Sequence, residues 1–446
     1  MDKTSAKGRL REYRLVVRNE FRYIFRDAGV LLILFGAVLI YSTLYALAYH
    51  PEVLRNVPIA VVDESRSPSS REFARKLDAA PNLRVAYKPT SLEEAKQMFL
   101  RREVNGIVYL PKEFEKNILG NEKAYIGVYA DASYFLMYKQ VFMDIVAVMM
   151  DSNEAIEMKR FQLAGVPGVQ AQAVSDPVRA TSRSVFNPYG GYGTFVMPAI
   201  LVLIIQQTLL IGIGMMGGTW RELGLYRTLI LPGRKYLAAL PVVLGKSTVY
   251  FLVSLLTLLY VFGFHYKAFG YPMNGRFLAV AGFLLPYLLS VIFLGLTLSS
   301  VFKRRENSIL ILLFTSIPLL MISGVSVPME TMPAWLYNLG KIFPSSAGIN
   351  GFLRIQTMGA SLAEVKPEFV TLWILTGVYF LTACIGIRTM AQEGLRPLPN
   401  PLAEAALYEG EPLPDADGNV IPTGNNSGTE RESLSETSRT MPDRIP

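Results

Sequence analysis

The chain has 446 residues, 51% hydrophobic and only 18% charged, with a formal net charge of +8. Soluble proteins carry about 25% charged residues, so this deficit excludes an ordinary soluble protein, and basic residues grouped beside apolar runs do not make a nucleic-acid-binding face. A single cysteine, Cys384, excludes an intramolecular disulfide, and two histidines, His50 and His265, each just outside an apolar run, have no further metal ligands at useful spacing.

Residues 1–28 hold eight Lys/Arg against four Asp/Glu. Leu10, Tyr13, Val17, Phe21, Ile24 and Phe25 recur every three to four residues, with arginines on the other face. That pattern predicts an amphipathic helix lying on a membrane surface. Gly29–Tyr49 follows as the first run long enough to cross a bilayer, which takes about 20 residues. It is longer than the apolar core of a signal peptide, and the region before it is too long, so it reads as an uncleaved anchor.

Residues 50–190 read as a folded α/β domain. Val57–Asp63, Gly106–Leu110 and Ala124–Tyr129 are strand-like. Ser69-x-x-Glu72 and Ser91-x-x-Glu94 have the spacing of capping boxes that open helices. Leu92, Ala95, Met98 and Phe99 share one helical face, and Pro111 suits the first turn of a further helix. From Ser133 to about Ala164 the pattern is helical.

Five more apolar runs follow within residues 191–390: Gly193–Met216, Ser247–Phe264, Phe277–Val301, Ser308–Val327 and Phe369–Ile387. The fold class is therefore an α-helical polytopic membrane protein, with six transmembrane helices and an α/β extracytoplasmic domain inserted between helices 1 and 2. Orientation follows from the short loops. Arg9–Arg26, the cluster Arg221, Arg227, Arg234 and Lys235, and Lys303-Arg304-Arg305 all fall on one side, the cytoplasmic one, when the N-terminus is inside. Residues 217–236 then form a cytoplasmic loop, and 325–368 an outer re-entrant segment. From Ala391 onward ten acidic residues face four arginines, and Pro, Gly, Ser and Asn abound, which predicts a disordered cytoplasmic tail for 391–446.

No motor is legible. Gly245-Lys246-Ser247-Thr248 matches only the end of a phosphate-binding loop, because the position of its first glycine is Leu240. The expected reading is a helix entering the membrane with Lys246 at the interface. None of the six runs contains an ionisable residue of the kind a proton- or sodium-coupled pump uses. Their most polar pair, Gln206-Gln207, serves either as hydrogen-bonding glue between helices or as a contact for substrate or a second copy. Gly214-x-x-x-Gly218 permits close helix approach. No nucleophile–base set or working carboxylate pair is present.

In linear order the chain resembles the permease subunits of ABC-2 type exporters, in the branch with a large domain after the first span. The motifs that carry this are NPYGGYGTFVMP from Asn187, Arg221-Glu222-Leu223-Gly224 continuing to Thr228-Leu229 and Pro232, Gly245-Lys246, and Ile322-Ser323-Gly324 with Pro328, Met332-Pro333-Ala334-Trp335 and Pro344. Within the domain, Ile59–Asp63, Leu77-Asp78 and Gly106-Ile107-Val108 are similar to that branch. The loop departs from the family pattern by lacking its Gly-Thr pair, with Leu225 after Gly224.

The resemblance implies a bacterial inner-membrane permease with both termini cytoplasmic, paired with a second copy or a close paralogue. It binds no cofactor itself; ATP and Mg sit on a partner ABC ATPase. Arg221, Glu222, Leu223, Gly224, Leu225, Arg227, Thr228, Leu229 and Pro232 would form the loop that enters the ATPase, while Gln206 and Gln207 would line the path or the dimer contact. Membrane lipids and a periplasmic adaptor protein are further expected partners. The competing reading is a non-transporting envelope receptor or scaffold.

Overall fold

The computed structural model describes residues 6–50, 53–167, 170, 185–187, 190–224, 239–302, 304–325, 327 and 331–394. An N-terminal helix α1 (Ala6–Arg26) turns at Asp27 into α2 (Ala28–Ala48). A separate α/β unit follows, comprising β1 (Val57–Asp63), α3 (Pro68–Asp78), β2 (Leu83–Tyr87), α4 (Leu92–Leu100), β3 (Gly106–Leu110), α5 (Phe114–Leu119), β4 (Gly127–Ala130) and α6 (Phe135–Leu163). The remaining helices are α7 (Tyr192–Glu222), α8 (Leu240–Ala268), α9 (Phe277–Ser299), α10 (Arg305–Ile322), α11 (Ala334–Gly340), α12 (Pro344–Gln356) and α13 (Lys366–Gly394). Six of these, α2, α7, α8, α9, α10 and α13, are long and apolar enough to span a bilayer.

The sheet runs β2-β1-β3-β4, with β1 parallel to β2 and β3, and β3 antiparallel to β4. Burial on both faces explains the near-continuous apolar run of β1 and β3. One face packs Ile59, Val61 and Val108 against Phe73, Leu77 and Val141; the other packs Ala60, Val62 and Ile107 against Ala95 and its helical neighbours Leu92, Met98 and Phe99.

Four local expectations shift. Strand β2 (LRVAY) is additional: Arg84 interrupts its apolar character, and its place at the sheet edge tolerates that. The last strand lies at Gly127–Ala130 rather than Ala124–Tyr129. Helix α3 is capped by Ser67, in a reciprocal box with Ser70, and Pro68 opens it, so Ser69 is not the cap. Helix α5 starts at Phe114, three residues after Pro111, whereas Ser91 caps α4 as its spacing predicts.

In the bundle, α7 is the central helix and is almost wholly buried among α2, α9, α10 and α12. Tyr287 of α9 donates to the Val202 carbonyl of α7 at 2.8 Å, and Thr297 of α9 meets Thr382 of α13 at 2.8 Å. Between α10 and α13, α12 buries Ile349, Phe352 and Ile355 against α9, α7 and α13. Two stretches are π-helical, Leu32–Ala37 in α2 and Leu259–His265 in α8. The second places His265 inside its helix rather than beyond it, fully buried, with Nε2 3.0 Å from the Ser42 carbonyl of α2. Helix α13 continues to Gly394; the rest of the tail lies outside the described residues.

Candidate coupling site at the basic end of the bundle

One end of the bundle carries α1, the last turn of α7, the start of α8 and the α9–α10 turn. It is the basic end; the α/β unit adjoins the other. Helix α1 explains the arrangement from its periodicity. Val16, Glu20 and Ile24 share one face and are buried, while Arg11, Arg14, Arg18, Arg22 and Arg26 are exposed. Gly245 of α8 allows this contact, since a Cβ there would lie 2.8 Å from a Val16 methyl. Tyr13 adds a hydrogen bond to Thr248 at 3.0 Å.

A carboxylate in the middle of a buried stripe requires a partner. Glu20 has two: Lys246 Nζ at 2.7 Å and the Tyr250 hydroxyl, which donates to it at 2.6 Å. Lys246 also lies over the Trp220 ring, 3.9 Å from its centroid, and Tyr23 meets the same ring edge-on at 5.5 Å. Lys246 therefore faces the protein interior, 2% exposed, instead of the lipid interface expected of it. Its ammonium is engaged by Glu20 and Trp220, and it is no phosphate-binding lysine.

Trp220 falls inside the predicted loop 217–236, but the helix α7 runs on through it to Glu222. Arg221 and Glu222 are the last turn of α7, not loop. Arg221 Nη1 donates to the carbonyls of Ser300 and Phe302, at 3.1 and 3.3 Å, where α9 ends. Glu222 accepts from the backbone N–H of Arg305 at 3.1 Å, where α10 begins. A cation at a helix C-terminus and a carboxylate at an N-terminus each match the local dipole. Gly218 makes the approach possible: a Cβ there would sit 2.6 Å from the Arg305 nitrogen and 2.7 Å from its Cα.

Arg305 in turn grips Asp27 with both terminal nitrogens, at 2.6 and 2.7 Å. Asp27 also caps α2 by accepting from the Val30 N–H at 3.0 Å. Burial pushes the Asp27 carboxyl up, but the Arg305 guanidinium and the N–H groups of Val30 and Gly29 outweigh it and hold it below the ordinary value of 3.8.

Of the sequence-predicted residues, Arg221 and Glu222 join this network. Leu223 is exposed, and Gly224 takes a left-handed φ of 63° that ends the helix. Leu225, Arg227, Thr228, Leu229 and Pro232 lie outside the described residues. Gln206 and Gln207, midway along α7, are 0% and 7% exposed, enclosed by their own protomer, and their side-chain amides have no hydrogen-bond partner among the described residues. Sequence reasoning missed Glu20, Asp27 and Trp220 as site residues, and named Lys246 and Arg305 only as an interfacial charge and part of a basic turn. For Glu20 a signal existed: it falls on the same helical face as Val16 and Ile24.

The family described as ABC-2 family transporter protein matches residues 28–385, most of the chain. The chain belongs to the ABC-2 transporter family. Two relatives are YbhR of Escherichia coli strain K12 and YbhR of Escherichia coli O157:H7, each described as "Probable multidrug ABC transporter permease". Each is 22% identical to this chain over 367 residues, spanning 81% of this chain and 94% of its own length. This ABC-2 protein is thus a permease-type membrane domain, and among its described residues no group of three or more His, Cys, Asp and Glu could hold a metal.

Proposed function

We propose that this ABC-2 permease is the membrane subunit of an exporter driven by a separate ABC ATPase, with its basic end and both termini in the cytoplasm of a bacterium. The arginine-rich α1 and the basic turn around Arg305 support that orientation through the excess of positive charge on cytoplasmic loops. ATP and Mg would be held by the ATPase, two copies of which would sit beneath a pair of permeases, either two of this chain or one with a close paralogue. Outward movement of substrate is part of this proposal; the YbhR relatives are described as probable multidrug ABC transporter permeases.

The observation that carries this reading is the fixing of the α7 end. Trp220, Arg221 and Glu222 each bind a different element: α8 through Lys246, the α9 terminus, and the α10 start. A push on the residues that follow would therefore be delivered to four helices together. Residues 225–232, with Arg227, Leu229 and Pro232, are proposed to enter the ATPase. Arg221 is assigned to positioning the loop, because its guanidinium is directed at Ser300 and Phe302. A receptor or scaffold has no need of such a junction.

Gln206 and Gln207 are proposed to meet the translocated substrate when α7 shifts against its neighbours, since buried amides lacking partners favour any state that supplies them. The exposed stripe Phe135, Phe142, Met143 and Met150 on α6 is proposed as the face for an extracytoplasmic partner such as an adaptor protein.

Co-purification with a co-expressed ABC ATPase from the same organism tests the assignment. Wild-type permease is expected to retain it and raise its hydrolysis rate. Arg227→Glu with Leu229→Asp is expected to abolish both while leaving the permease folded. Retention and stimulation at the wild-type level by that variant would rule out docking through this loop.

A further inference from the structure

A cleft of about 450 Å³ opens at the elbow between α1 and α2, floored by the Asp27–Arg305 pair of the coupling network. Tyr23, Arg26, Asp27, Met216, Thr219 and Arg305 line it. We propose that this cleft binds the phosphate headgroup of an anionic phospholipid from the leaflet at the basic end, a role independent of the ATPase assignment.

Charge is the first argument. Asp27 and Arg305 neutralise each other at the floor of the cleft. Arg26 is exposed and has no ion-pair partner among the described residues, so the net charge of the lining is positive. The Tyr23 hydroxyl is a second donor at the same wall, without a hydrogen-bond partner among the described residues. An arginine fork beside a phenolic hydroxyl is suited to a phosphate oxygen pair. Ala28, exposed, and Gly29 at the start of α2 give the small apolar wall that a glycerol backbone and first acyl carbons would need.

Depth is the second argument. The cleft lies where α1 hands over to α2, a helix long and apolar enough to span a bilayer, and with α2 spanning it would sit where headgroups meet hydrocarbon. Phe21 and Phe25 stack on each other at 4.6 Å, both exposed, and Phe25 reaches Phe35 of α2. That apolar flank continues into the exposed Leu32, Leu39 and Ile40 of α2. A surface that runs unbroken into a lipid-facing span selects a lipid as occupant over an acidic protein. The ridge Arg11, Arg14, Arg18 and Arg22 extends the positive field along α1 away from the cleft.

The test uses the purified full-length permease, titrated with phosphatidylglycerol or phosphatidylcholine and read by native mass spectrometry. Wild type is expected to hold phosphatidylglycerol about tenfold more tightly than phosphatidylcholine. Arg26→Gln should weaken phosphatidylglycerol about fivefold, the equivalent of about 1 kcal/mol for one arginine near an anionic surface. Ala28→Trp, which fills the cleft without removing charge, should displace the bound lipid. Arg84→Gln, on the α/β unit, should change nothing. Equal retention of both lipids, or full retention by Arg26→Gln and Ala28→Trp, would overturn the proposal. So would competition by free glycerol phosphate at equal concentration, which would make the ligand a soluble phosphate.

Discussion

The α/β unit and the basic end of the bundle each hold an ion pair of nearly the same length. Lys76 and Asp151 are 2.8 Å apart, with side chains 27% and 69% exposed; Lys246 and Glu20 are 2.7 Å apart, at 2% and 0%. In the α/β unit the sheet core is apolar and the charges decorate its rim. At the basic end one pair is the core: Glu20 and Lys246 are fully buried, and the partly exposed Asp27–Arg305 pair flanks them, so that the four charges join α1, α2, α8 and α10. Apolar side chains tolerate small shifts against one another, whereas a buried charge separated from its partner is strongly destabilising. The first region is built to be stable, the second to keep several helices in register.

The sharpest way to break this contrast is Lys246→Met. It leaves Glu20 buried without its cation, and about 3–5 kcal/mol should be lost, read as a large drop in thermal midpoint in detergent. Adding Glu20→Met should restore most of that stability, because two apolar side chains of similar volume replace the pair. A single variant as stable as wild type would show that Glu20 is not committed to Lys246.

Arg305→Ala comes next. It removes two charge-assisted bonds to Asp27 from a partly exposed site, and about 1.5–3 kcal/mol is expected. The acid limb of stability sharpens the same point. Because the folded Asp27 carboxyl lies below its ordinary 3.8, its contribution is complete above that value and is lost as pH falls through the lowered one. The stability difference between wild type and Asp27→Asn should therefore stay constant from about pH 7 to pH 5 and shrink below about pH 4; a difference that already fades near neutrality would contradict the pairing. Smallest is Lys76→Ala in the α/β unit, where less than about 1 kcal/mol is expected, read by the same thermal midpoint and reduced further by salt.

The large features were legible in the sequence for a simple reason. Six uncharged apolar runs and a strand-rich insert are local patterns, and each element's neighbours in sequence determine it. The coupling site was legible only in its family motif. Arg221 looked like a loop residue poised for an acidic partner, because nothing local shows that α7 continues to Glu222 or that the ends of α9 and α10 converge beside it. Lys246 and Glu20 are 226 residues apart, and each alone reads as an interfacial charge. Similarly, a π-helical turn brought His265 inside its helix, and no composition rule marks such a turn. Long-range pairing of charges was the missing information.

The central claim is that a separate ATPase drives this permease through the junction at Trp220, Lys246 and Glu20. The most direct measurement is the ATP hydrolysis rate of the partner ATPase reconstituted with wild-type permease and with the folded Glu20→Met/Lys246→Met double variant. The account predicts no hydrolysis by the permease alone, stimulation of the ATPase by wild type, and loss of most of that stimulation with the double variant although the complex still assembles. Full stimulation by the double variant, or hydrolysis by the permease alone, would contradict it.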